Sequence, residues 1–150
     1  MRYPVLFSIL LFVIFISCKK EKYSTTPTLK FENASTTNLH PGQVITFTLS
    51  FTYKGALTGN LFVQELVPTC TDNELDSINS PYNLPSFPST QNQKGEITVT
   101  YGYNVTGYSP ISQPQCSPRN DTAVFRFVLT DNNMHVSDTV SSPQVIIYAQ

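Results

Sequence analysis

Between Val44 and Tyr53 apolar and hydroxyl side chains alternate without a break. Ile45, Phe47, Leu49, Phe51 and Tyr53 fall on one face, and Thr46, Thr48, Ser50 and Thr52 on the other. A period of two held this long predicts a strand with one buried and one wet face. The period returns at 95–103, where Ile97, Val99, Tyr101 and Tyr103 share a side, and at 122–130, where Phe125, Phe127 and Leu129 point inward and Arg126 outward. Shorter strands are expected at 28–32, 61–67, 136–140 and 144–148, with the interruption at Pro143 suiting an edge. Turns are expected at His40-Pro41-Gly42-Gln43, where proline presets φ and glycine accepts the left-handed region, at 54–60, and at Asp131-Asn132-Asn133.

Two segments show no period. Residues 69–94 are rich in Pro, Asn, Ser and Gln, and their isolated apolar residues, among them Tyr82 and Leu84, are expected to pin a long loop to the domain, with at most one short edge strand. Residues 104–120 form a second loop. About seven short strands over 28–150 predict an all-β, immunoglobulin-like β-sandwich. The chain has no Trp, and Cys70 and Cys116 lie in loops, so an antibody-type core pin is excluded.

The N-terminus follows a different pattern. After Arg2, residues 5–16 are apolar except for Ser8, and Ser17, Cys18, Lys19 and Lys20 follow. A membrane-crossing helix needs about 20 apolar residues, which this run does not reach. An uncleaved anchor is the alternative: Lys19, Lys20 and Lys22 outnumber the positive charge before the run, which favours the opposite orientation. The apolar length suits an export signal better. Phe15-Ile16-Ser17-Cys18 resembles the looser lipoprotein signals of Bacteroidetes-type bacteria. That resemblance implies a signal peptide at 1–17, lipid attachment at Cys18, a polar tether at 18–27, and a membrane partner reached through several acyl chains, which anchor stably where one does not.

Composition narrows the function. The mature chain would carry nine Lys and Arg less Arg2, against ten Asp and Glu. This near balance excludes the basic stripe of a nucleic-acid binder. With Cys18 consumed by lipid, an oxidising compartment favours a disulfide between Cys70 and Cys116; two free buried thiols are the alternative. The bridge would close a loop of about 47 residues and contribute about 4 kcal/mol in the chain-entropy description.

Several short motifs run through the domain: Pro41-Gly42-Gln43-Val44-Ile45-Thr46-Phe47, Pro85-Ser86-Phe87-Pro88, Cys116, and Phe127-Val128-Leu129-Thr130-Asp131-Asn132-Asn133 followed by Ser137. Together they are similar to a group of small Bacteroidetes-type lipoproteins with an immunoglobulin-like exported domain of unknown activity. The resemblance implies an acidic, calcium-competent turn after the second strand. Here that turn reads Tyr53-Lys54-Gly55-Ala56-Leu57-Thr58-Gly59, with no carboxylate, whereas Ca²⁺ takes six to eight oxygens.

Catalytic chemistry is thin. Only His40 and His135 could be imidazole bases, both beside turns and expected to face solvent. No nucleophile elbow, metal-spaced histidine pair, Cys-x-x-Cys or phosphate loop occurs. Asp72, Glu74 and Asp76 alternate as a Ca²⁺ candidate or as a solvated acidic loop. Tyr101, Tyr103 and Tyr108, with Asn104 and Gln113, are candidates for an aromatic platform for a glycan or peptide; core packing is the alternative. Asp76-Ser77-Ile78, Asp121-Thr122-Ala123 and Asp138-Thr139-Val140 resemble O-glycosylation acceptors of these bacteria. The expectation is a non-catalytic binding or structural module of the cell envelope, lipid-anchored at the outer membrane on its periplasmic face or the cell surface, with an unidentified protein or glycan partner and no cofactor or metal. A Ca²⁺-stabilised adhesin-like domain is second, and an enzyme or enzyme inhibitor with an unfamiliar site third.

Overall fold

The computed structural model describes residues 23–68, 74–85, 91–114 and 118–150, with the backbone alone at 68 and 74–80. Cys18, Cys70, Cys116 and Asp72 lie outside the described residues. In chain order the strands are β1 (Thr28–Ala34), β2 (Asn38–Leu39), β3 (Val44–Tyr53), β4 (Gly59–Pro68), β5 (Glu74–Asn83), β6 (Gln93–Gly102), β7 (Ser109–Pro110), β8 (Asp121–Asp131), β9 (Val140–Ser141) and β10 (Val145–Ile147). They form two sheets, β1-β3-β6-β7 and β2-β10-β8-β4-β5, with β9 added beside β8. The molecule is an all-β, immunoglobulin-like sandwich.

The alternating segments fold as their period demands. β3 pairs with β6 along its whole length, from Val44 opposite Gly102 to Tyr53 opposite Gln93. β8 pairs with β4 from Asp131 opposite Gly59 to Val124 opposite Leu66. Ile45, Phe47 and Leu49 of the first sheet then meet Leu61, Val63, Phe125 and Phe127 of the second, all fully buried. Phe47 sits at the centre, with ring centroids 4.6 Å from Phe125 and 5.3 Å from Phe127. Burying each such ring is worth about 1.5–3 kcal/mol, so the inward parity is strongly fixed.

Three expectations change. Residues 69–94 are not one loop: ten of them form β5, an edge strand paired with β4 from Asn60 opposite Asn83 to Pro68 opposite Glu74. Its sequence lacks a period of two and contains Pro81, but an edge strand is paired on one side only and tolerates proline. β5 therefore runs nearly the full length of β4 along the edge of the sheet. The strand expected at 136–140 shrinks to one bridge at Val136 and the two residues of β9. Here serine side chains replace part of the ladder, since Ser137 Oγ accepts Leu129 N–H at 2.9 Å and Ser142 Oγ accepts Phe125 N–H at 3.0 Å. Finally β2, which has no sequence signal, pairs in parallel with β10.

Candidate functional site

The register assigns the turns among the described residues to two ends. At the end where the chain enters, Lys54 N–H bonds Ser24 C=O at 2.8 Å, and Asn132 N–H bonds Thr58 C=O at 3.0 Å. The turns at 54–58 and 131–136 thus adjoin the incoming segment at Ser24. The opposite end carries the turn at 40–43, the loop after β6 and the C-terminal Tyr148. Gly42 N–H bonds Tyr103 C=O at 2.7 Å, and Tyr103 N–H bonds Gln43 C=O at 2.9 Å. The His40 ring stacks on Tyr148 with centroids 4.0 Å apart, and the Tyr103 hydroxyl donates to the Tyr148 carbonyl.

The loop at this far end folds back over Gly102. A Cβ there would lie 3.0 Å from Val105 Cβ and Tyr108 Cβ, so only glycine admits so close an approach. Asn104 turns the chain with φ of +55°, which asparagine tolerates, and its side chain accepts from Gln113 Nε2 at 3.0 Å. The result is a fixed loop presenting Tyr108, 48% exposed, beside exposed Val44, the register partner of Gly102.

The three-tyrosine platform is not assembled. Tyr101 and Tyr103 are buried, and Tyr108 alone of the three is exposed. The reason is the parity of β6: Tyr101 stands on the same face as Val99, against Phe47 and Phe125. Burial, then its bond to the Tyr82 hydroxyl and the Glu65 charge, push the Tyr101 phenol well above its usual range. Tyr103 is raised by burial and by the charge of Asp121.

Residues that the sequence did not single out complete the interior of this end. Glu65 is fully buried, and its Oε2 accepts Ser112 N–H at 3.2 Å, tying the far loop to β4. A signal was present, since Glu65 shares the parity of Leu61, Val63 and Val67, all inward. Glu74 and Asp76 lie on the extended β5 rather than in a loop able to wrap a cation. Among the described residues no group of three or more His, Cys, Asp or Glu is placed to hold a metal ion. Of the glycosylation-like tripeptides, Asp121 is buried, whereas Asp138 and Thr139 are exposed.

His135, half-exposed, meets a carboxylate: its Nδ1 lies 2.8 Å from Asp131 Oδ2. Asp131 itself is buried and heavily engaged. Oδ1 accepts the backbone N–H groups of Asn133 and His135 at 2.9 and 2.8 Å, and Oδ2 also accepts the Tyr53 hydroxyl. Burial alone would raise the Asp131 pKa. The bonds from the His135 side chain and backbone, from Tyr53 and from Asn133 outweigh it, so the carboxyl lies below its usual range. Tyr53 is raised, by burial first and by Asp131 second. Asp131 thus gathers a hydroxyl from β3 and three groups of its own turn, and the arrangement clamps that turn.

No protein-family model matches the chain, and no curated protein matches it significantly. Solved structures match the chain at low identity. The sporulation control protein Spo0M of Bacillus subtilis is 11% identical with a TM-score of 0.46, covering 83% of this chain and 50% of its own. A β-glucosidase of Listeria innocua in complex with gluconolactone is 11% identical with a TM-score of 0.47, covering 87% of this chain and 17% of its own. The CARDB domain of a Pyrococcus furiosus protein, in complex with di-metal ions, is 9% identical with a TM-score of 0.37, covering 86% of this chain and 100% of its own. The chain therefore spans half of the first of these proteins and about a sixth of the second.

Proposed function

We propose that the chain is a lipid-anchored, non-catalytic binding or structural module of the bacterial cell envelope. Cys18 would carry the lipid, the tether at 18–27 would join it to the sandwich, and the outer membrane would hold it on the periplasmic face or the cell surface. One observation carries this reading: Ser24, near the proposed tether's end, adjoins one end of the sandwich, and the loop bearing Tyr108 lies at the other. An anchored domain with that polarity presents its loop away from the bilayer, where a glycan or protein partner is reachable. Glycine at 102 and the Asn104–Gln113 bond support a preformed surface, which lowers the ordering cost of binding. The engagement of Asp131 in turn bonds supports a non-catalytic role. A Cys70–Cys116 bridge would staple the same end, because Pro68, Glu74 and the bond from Ser112 to Glu65 all lie there.

Two measurements test this. Mass analysis of protein from its native host should find an N-terminal Cys18 with a diacylglycerol on its sulfur and an acylated amine, and a mass rise of two hydrogens on reduction. An intact Met1 with an unmodified Cys18 removes the anchoring. Retention of the wild type on a glycan array or on envelope fractions should fall on Tyr108→Ala; unchanged retention removes the binding loop. Protease shaving of intact cells then decides the membrane face.

A further inference from the structure

The tether end carries an unusual surface of its own. Met134 is 84% exposed and Val136 53% exposed, on the turn that follows β8. The Met134 backbone is held in the left-handed region at φ of +66°, which is uncommon for a residue other than glycine. The turn around it is fixed from both sides: Asp131 N–H bonds His135 C=O at 3.0 Å and Met134 N–H bonds Asp131 C=O at 3.1 Å. The Asp131 carboxylate takes the N–H groups of Asn133 and His135. Asn132 is fastened to the neighbouring turn through Thr58, backbone and side chain alike. A bonded path then runs from this turn through Tyr53 and Lys54 to Ser24 of the incoming chain.

Covalent reach places this turn near a bilayer. Ser24 lies six residue steps after Cys18, and a fully extended chain spans at most about 3.3–3.6 Å per residue, so Ser24 lies within about 22 Å of an acylated Cys18. The sandwich is longer than that: its ten-residue strands extend about 33 Å. Exposed Lys54 stands in the adjoining turn, and Lys19, Lys20 and Lys22 in the tether sequence, as cations suited to anionic headgroups.

We infer that the 131–136 turn is a second membrane contact, with Met134 entering the lipid interface so that the sandwich stands end-on and its far loop faces outward. The occupant is a phospholipid surface. The inference rests on the lipid anchor proposed above and adds an orientation to it. Acyl chains hold the protein to the membrane, and the turn fixes which way it faces.

The absence of tryptophan supplies the test. Full-length acylated protein carrying Met134→Trp is reconstituted in vesicles of phosphatidylethanolamine and phosphatidylglycerol, with and without brominated acyl chains. Val136→Trp is a second reporter on the same turn, and Tyr108→Trp reports the far end. Flotation of the vesicles scores anchoring separately. The expected result is flotation of all three variants, blue-shifted emission and strong bromine quenching for Met134→Trp, weaker quenching for Val136→Trp, and none for Tyr108→Trp. Flotation with unquenched Met134→Trp and Val136→Trp overturns the contact and leaves the anchor standing. Quenching at Tyr108→Trp overturns the end-on orientation. Failure to float sinks the anchor, and this inference with it.

Discussion

The Tyr53 hydroxyl donates to Asp131 Oδ2 at 2.9 Å, joining the last residue of β3 to the last residue of β8 across the two sheets. Both residues are buried, and the bond closes the sandwich at the end that Ser24 adjoins. Because the same carboxylate holds the 131–135 turn, one side chain serves the packing of the sheets and the shape of the turn. Local and long-range structure are therefore coupled at Asp131.

Removing either partner should expose that coupling. Tyr53→Phe deletes one bond to a charged acceptor and should cost about 1.5–3 kcal/mol. Asp131→Ala leaves the Tyr53 hydroxyl and two backbone N–H groups without their acceptor, and should cost more, about 3 kcal/mol or above. Urea unfolding followed by circular dichroism measures both. Equal costs for the two variants would mean that the turn bonds add nothing to the cross-sheet bond.

The same carboxylate predicts a pH dependence. Its folded pKa is depressed below the ordinary value of 3.8. Its contribution is therefore present above the unfolded pKa and is lost as pH falls through the folded one, because the unfolded chain takes up the proton first. Stability of the wild type should drop on acidification from about pH 5 towards pH 2, and Asp131→Asn should show a shallower drop. Parallel profiles for the two proteins would remove Asp131 as the source.

The parts of the fold that could be read in advance are those where one face is buried. In β3 and β8 every second residue enters the core, so period alone located both strands to within about a residue. β5 was hidden for the opposite reason: Glu74–Asn83 is an edge strand, and its residues alternate no hydrophobicity. The strand expected at 136–140 failed because Ser137 and Ser142 spend their hydroxyls on the neighbouring backbone, a choice that sequence parity does not record. The candidate site divides similarly. Residues 104–120 carry no period, yet Ser109–Pro110 within them form β7 beside β6, a two-residue pairing too short to leave a pattern. The Asp131–His135 contact is four residues long and thus local; its third member, Tyr53, lies 78 residues away in sequence, out of reach of any motif.

Gly59 marks where β4 begins, and it should be the least replaceable glycine. Its φ is +153°, and a Cβ would come within 2.0 Å of the Thr130 carbonyl oxygen. That oxygen belongs to the β8 backbone and cannot rotate away, so Gly59→Ala must displace the ladder itself. A cost of about 3 kcal/mol is expected. Gly42→Ala is the comparison: its φ of +83° carries strain, but nothing lies within 4 Å, so about 1–2 kcal/mol is expected. Thermal unfolding of the two variants should rank them in that order, and a milder effect at Gly59 would contradict the register between β4 and β8.

Tyr101 and Tyr108 provide the sharpest separation of core from surface on one segment. Tyr101 is fully buried between Phe47, Phe125 and Tyr82, and its truncation to alanine opens a cavity, for an expected loss of about 3–5 kcal/mol. Tyr101→Phe keeps the ring but leaves the Tyr82 hydroxyl without that partner, so a loss of about 1 kcal/mol is expected. Tyr108→Ala removes a side chain that is half in solvent, and stability should change by no more than about 0.5 kcal/mol. Any change in partner retention on Tyr108→Ala then reports recognition rather than folding. A stability loss at Tyr108 comparable to that at Tyr101 would show that the far loop is held by packing through Tyr108, and would remove that residue as a free contact for a ligand.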